Sequence, residues 1–233
     1  MNIVEPILFQ ARHQPEAPAL CAQGNDVITY AQLRAQMHNI ARRAMSFGLR
    51  RGNIVALLIA DSLQHAVAIL GLTQAGIVPV TVGSNPPPPG LKVDAVIRSG
   101  HYPFASAARH FPFDFTWLMG DGALAVEAWQ GGSASDICRI VLTSGTTGGQ
   151  KAVALTHKLA VERNARFEFL AGNRLPLCSR VYLNIGLGSS LGYYFLTYIL
   201  GRGGTLFFRG QTLENTLRSF DIFKVQFDHP EGG

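Results

Sequence analysis

Charge is scarce in this sequence. Only 15% of its 233 residues are Asp, Glu, Lys or Arg, against about 25% in an average domain. So sparse a charged surface implies that part of it is meant to be covered, by a partner or by more of the same protein. Lys and Arg (20) outnumber Asp and Glu (15), for a net charge of +5. The basic residues are scattered, and no block of five or more occurs, which argues against a nucleic-acid-binding tract. Cysteine is nearly absent. The three that occur (Cys21, Cys138, Cys178) form no C-x-x-C pair and leave an odd count, so a reduced, cytoplasmic compartment is expected. The seven histidines show no metal-type spacing, no metal ligand is assigned, and no carboxylate pair stands out as acid and base. Catalytic residues therefore stay unassigned. The start, Met1 to Pro6, lacks the basic and apolar regions of a signal peptide. No apolar run reaches the ~20 residues of a membrane span, and no internal repeat is visible.

What is present is an alternation of helical and extended patterns. Ile3, Ile7, Leu8 and Ala11 share helical spacing before Pro15. Two short apolar runs flank Gly24-Asn25 as a hairpin. Thr29 and Gln32 stand at the capping-box spacing ahead of Tyr30, Leu33, Met37, Ile40, Ala44 and Phe47 on one helical face, which Gly48 closes. Arg42, Arg43, Arg50 and Arg51 gather around that helix end, where cations suit the exposed carbonyls. Ile54 to Ile59 reads as a strand covered on both faces, Leu63 to Gln74 as a helix capped by Asp61 or Ser62 and ended by Gly76, and Ile77 to Val82 as the next strand. Strand, helix and strand make a right-handed βαβ unit of a parallel sheet.

Gly83 to Gly90 is too rich in proline for regular structure and predicts a rigid crossover. Lys92–Ile97 and Phe115–Met119 are short apolar segments in an interval whose structure the sequence leaves unassigned. Farther on, the pattern predicts a strand over Ile137–Leu142, another over Ala152–Leu155 and a helix over Lys158–Leu170. A strand over Val181–Asn184, a core helix within Leu187–Leu200 and a strand over Thr205–Phe208 follow. A helix over Leu213–Phe220 and a strand over Lys224–Phe227 complete the expectation. The fold class is α/β, a layered αβα arrangement with mostly parallel sheets.

The most informative stretch is Thr143-Ser144-Gly145-Thr146-Thr147-Gly148-Gly149-Gln150-Lys151. Gly145, Gly148 and Gly149 permit backbone angles that let several N–H groups converge, and four hydroxyls and one ammonium sit among them. Such a donor set suits an anion, above all a polyphosphate, whereas a surface turn has no need of a lysine and a row of hydroxyls. A Walker A loop, G-x-x-x-x-G-K-[ST], does not fit. From Gly145 its second glycine falls on Gln150, and Ala152 follows Lys151 where a metal-binding hydroxyl would be required.

The stretch instead resembles the phosphate loop of the AMP-forming adenylating enzymes, T-S-G-T-T-G-x-P-K-G-V, the superfamily of acyl-CoA synthetases, luciferases and nonribosomal peptide adenylation domains. Thr143, Ser144, Gly145, Thr146, Thr147, Gly148, Lys151 and Val153 agree, while Gln150 replaces a proline and Ala152 a glycine. Leu155-Thr156-His157 looks like the family's continuation, with Thr156 capping a helix that starts near His157, and Ala75-Gly76-Ile77-Val78-Pro79 resembles an earlier segment. The resemblance implies an ATP-dependent acid ligase. Thr143, Ser144, Thr146, Thr147 and Lys151 would bind the departing pyrophosphate, with Gly145, Gly148 and Gly149 giving close backbone approach. It also implies ATP with Mg²⁺, a carboxylic acid substrate, and CoA or a carrier protein as acceptor.

By the same comparison, residues 1–83, 84–136 and 137–233 are successive segments of one adenylation domain. The family's adenine-contacting Y-G-x-T-E-like motif, its ribose-binding aspartate and its lid with a catalytic lysine have no counterpart in these 233 residues. At the acyl-binding aromatic-His motif the chain reads Asn184-Ile185-Gly186-Leu187-Gly188, without a histidine. The expectation is a truncated ligase, inactive alone and prone to associate with itself through uncovered apolar surface. The alternative is a noncatalytic module that binds a nucleotide or a partner on the same fold.

Overall fold

The computed structural model describes residues 2–22, 26–83, 88, 90–100, 108–120, 132–144, 150–171 and 179–208. The Pro-rich run apart from Gly83, Pro88 and Gly90, and the helix and strand expected beyond residue 208, lie outside them, as does Cys178. The α-helices are α1 (Glu5–His13), α2 (Tyr30–Ser46), α3 (Ser62–Gln74), α4 (His157–Ala171) and α5 (Ser190–Gly201). The strands are β1 (Pro18–Ala22), β2 (Asp26–Thr29), β3 (Ile54–Leu58), β4 (Val78–Thr81), β5 (Ala95–Arg98), β6 (Arg109–Pro112), β7 (Ile137–Ser144), β8 (Gln150–Thr156), β9 (Arg180–Leu183) and β10 (Thr205–Phe208).

Local chemistry explains the helix boundaries. Thr29 and Gln32 form the expected capping box, with Gln32 N donating to Thr29 Oγ1 at 3.3 Å and Thr29 N donating to Gln32 Oε1 at 2.9 Å. Asp61 accepts from Gln64 N at 2.8 Å and starts α3. The glycines expected to end α2 and α3 do so in the left-handed region, Gly48 at φ 79° and Gly76 at φ 70°. Arg50 Nη1 donates to the carbonyls of Met45 and Leu49, both at 2.9 Å, placing a cation at the end of α2. The apolar stretch from Leu187 becomes helical only at Ser190, because Ser189 is extended and its hydroxyl accepts from Gly192 N at 2.9 Å.

Two sheets result. The larger runs β6-β5-β3-β4-β7-β8, parallel throughout except for the β7–β8 hairpin at its end. The smaller runs β2-β1-β10-β9, so strands from both ends of the chain share it. Helix α3 is buried nearly all round, its centre Ala66 to Leu72 being wholly apolar, and it packs against α2. There Gly71 lets the two backbones meet, since a Cβ at this position would lie 2.8 Å from Met37 O. This is the layered α/β architecture with mostly parallel sheets. Two elements fall where the sequence leaves the structure unassigned. Arg109–Pro112, in the unassigned interval, is an edge strand, and Phe115–Trp117 is a single 3₁₀ turn capped by Asp114.

Candidate functional site

Strand β7 delivers the phosphate-like stretch beyond the C-terminal ends of its parallel neighbours, where ligands of open α/β sheets collect. β8 returns antiparallel, with Ser144 opposite Gln150 and Thr143 directly opposite Lys151. Direct partners share a face of the sheet, so one hydroxyl and the ammonium project together at the base of the turn. Both residues are exposed, and Thr143 Oγ1 donates to Lys151 O at 3.4 Å. Gly145, Thr146, Thr147, Gly148 and Gly149 lie outside the described residues, as does the Ser144 side chain. The groups described at this turn are one hydroxyl, engaged with the Lys151 carbonyl, and one ammonium. Among the described residues no group of three His, Cys, Asp or Glu could hold a metal ion.

Behind this turn the helix α4 begins as expected. Thr156 Oγ1 accepts from Leu159 N at 3.2 Å, and His157, 1% exposed, accepts on Nδ1 from Ile3 N at 3.0 Å. Burial pushes the His157 pKa down, and its ring nitrogen is engaged by backbone. Its role is to anchor the N-terminal segment.

A polar cluster that sequence reasoning missed lies below, at the junction of β4, β7 and the turn before α5. Arg139 on β7 is 0% exposed. Its Nη2 donates to Thr81 Oγ1 at 2.8 Å and to Leu187 O at 2.7 Å, and its Cζ lies 5.0 Å from the centre of the Tyr193 ring. His65 of α3 reaches the same Thr81 hydroxyl through Nε2 at 2.9 Å. Burial lowers the Arg139 pKa to about 10, still cationic at neutral pH. Burial and, secondarily, Arg139 lower that of His65 to about 3. The only signal in the sequence is a charged residue inside the otherwise apolar run Ile137-Cys138-Arg139-Ile140-Val141-Leu142.

Comparison with known proteins finds similarity in both sequence and fold. Residues 8–93 match the family described as AMP-binding enzyme. Phenyloxazoline synthase MbtB of Mycobacterium tuberculosis is 31% identical over 160 residues, covering 65% of this chain and 11% of that protein. A 4-chlorobenzoate–CoA ligase of Arthrobacter sp is 27% identical over 185 residues, covering 70% of this chain and 34% of that protein. The chain thus spans from about a tenth to a third of the length of these relatives. Among solved structures, o-succinylbenzoate coenzyme A synthetase from Bacillus subtilis, in complex with AMP, superposes with a TM-score of 0.77 at 17% identity, over 95% of this chain and 60% of that one. Residues 8–93 are thus similar in sequence to the AMP-binding enzyme family, and over most of the chain the fold is that of an AMP-forming coenzyme A synthetase.

Proposed function

We propose that this chain takes part in the ATP-dependent adenylation of a carboxylic acid, as an acyl- or aryl-acid ligase that passes the activated acyl group to CoA or a carrier-protein thiol. The observation that carries the reading is the pairing of Thr143 with Lys151 at the mouth of the β7–β8 turn. In this reading the hydroxyls of Thr143, Ser144, Thr146 and Thr147 and the amides of Gly145, Gly148 and Gly149 donate to the β- and γ-phosphates, and Lys151 offsets their charge. Held in this way, the nucleotide presents its α-phosphorus to the acid. A carboxylate oxygen forms the new P–O bond, and the bond to the bridging oxygen breaks, releasing pyrophosphate into the same donors. The protein's contribution is positioning and stabilisation of the charge that develops on the leaving group. Mg²⁺, when bound, would share that charge.

Calorimetric titration with ATP and with pyrophosphate tests the grip. Lys151→Ala removes a charged partner, worth about 1.5–3 kcal/mol, and should weaken pyrophosphate binding about tenfold or more. Unchanged affinity would remove Lys151 from the site. Acid-dependent ATP–pyrophosphate exchange separates the two roles. Binding with exchange supports the ligase, and binding without exchange supports a nucleotide-binding module.

A further inference from the structure

A cavity of about 230 Å³ opens at the end of the larger sheet away from the phosphate turn. Its wall combines Arg50 and Arg51 from the segment before β3, Gln74 at the end of α3, Asp136 just before β7 and His157 at the start of α4. Strands β3, β4 and β7 run parallel, so these residues gather near their N-terminal ends. The eight-residue β7 separates the cavity from the phosphate turn by roughly 25 Å.

Most polar groups in this wall are already matched. Arg51 pairs with Asp136, and Arg50 Nη1 donates to the carbonyls of Met45 and Leu49 at the end of α2. Asn2, also in the lining, donates through Nδ2 to Thr73 O at 3.2 Å and accepts on Oδ1 from Val4 N at 3.2 Å. Two neutral groups remain. Gln74 is 6% exposed, and its Oε1 is buried without a hydrogen-bond partner. His157 accepts from Ile3 N on Nδ1, so its ring proton sits on Nε2 as a donor. Burial lowers the His157 pKa and keeps the ring neutral at pH 7. A buried acceptor is penalised until a donor reaches it. An acceptor and a neutral donor, in a cavity whose charges are already paired, suit an uncharged ligand that carries both an N–H and a carbonyl.

We propose that this cavity binds a small neutral carboxamide, whose N–H donates to Gln74 Oε1 and whose carbonyl accepts from His157 Nε2. The inference stands apart from the adenylation reading, because it needs neither Lys151 nor a nucleotide. Calorimetric titration of the full chain with benzamide and with acetophenone tests it, since the ketone keeps the ring and the carbonyl but has no N–H. Benzamide should bind about tenfold or more tightly than the ketone, and its addition should shift the nitrogen resonance of His157 Nε2 in NMR spectra. Gln74→Met, of similar volume, should erase that preference, and Lys151→Ala should retain it. Removing an acceptor that has no partner should also leave the thermal midpoint of the ligand-free chain in place. No binding of benzamide, equal affinity for the ketone, or an unmoved His157 resonance overturns the proposal. A preference that survives in Gln74→Met or is lost in Lys151→Ala does so too. So does a Gln74→Met chain that melts earlier than the unsubstituted one, because the protein itself would then satisfy Oε1.

Discussion

Two histidines owe their neutrality to burial and thereby tie the fold to pH. His65, held at about 3, and His157, lowered more modestly, both sit below the ~6.5 of an unfolded histidine. A depressed pKa means the unfolded chain binds the proton more readily, so the stabilisation is complete above about pH 6.5 and is lost as pH falls toward the folded values. Each such proton contributes a slope of up to about 1.4 kcal/mol per pH unit. The urea midpoint should therefore decline between pH 7 and pH 4. His65→Gln, which keeps a polar group near Thr81 but cannot titrate, should flatten that decline; an unchanged slope would mean that His65 is not neutral by burial. At this scale the sequence was informative for Thr29, Asp61 and Gly76, whose roles depend on near neighbours in the chain. It was silent on His65, whose environment is assembled from β4, β7 and the turn before α5.

At the scale of elements, the contact between α2 and α3 is set by a missing side chain. A methyl at Gly71 would approach Met37 O to 2.8 Å and the Ile40 side chain to 2.9 Å. Alanine gains about 1 kcal/mol of helix propensity over glycine, but forcing two helices apart costs about 1–3 kcal/mol. Gly71→Ala should therefore lower stability in equilibrium denaturation, and a stabilised variant would show that the helices can separate freely. The βαβ unit from Ile54 to Thr81 was readable because its strands are mostly apolar and both helix ends carry cap residues. β6 was not, since Arg-His-Phe-Pro has no strand pattern and pairs only on one side, with β5. It is a strand because Arg109 Nη1 holds the Phe47 carbonyl at 2.7 Å and Phe111 stacks on Phe47, centroids 4.5 Å apart.

For the whole molecule, the low charge fraction has a structural counterpart. β8 is the last strand of the larger sheet among the described residues and is exposed along most of its length, including Val153 at 42%. On α4 the Phe169 side chain is 86% exposed. Apolar surface beside an open strand edge favours association between copies. Sedimentation velocity at increasing concentration should show species heavier than the monomer, and Phe169→Ser should reduce them; a single monomeric boundary at every concentration would refute this. No helix among the described residues is long and apolar enough to cross a membrane.

The sequence by itself determined most of the described helices and the apolar strands, because caps, glycine stops and apolar periodicity act over a few residues. It also determined the phosphate-like stretch, because glycines, hydroxyls and a lysine crowd into one continuous run. Only the tertiary structure decided that β1 and β2 join β9 and β10 in one sheet, that Thr143 faces Lys151 across a hairpin, and that Arg139 is wholly buried beneath Thr81. Those facts depend on pairing and burial between residues far apart in the chain, and the free energy of burying a charge is fixed by the surroundings that the fold assembles.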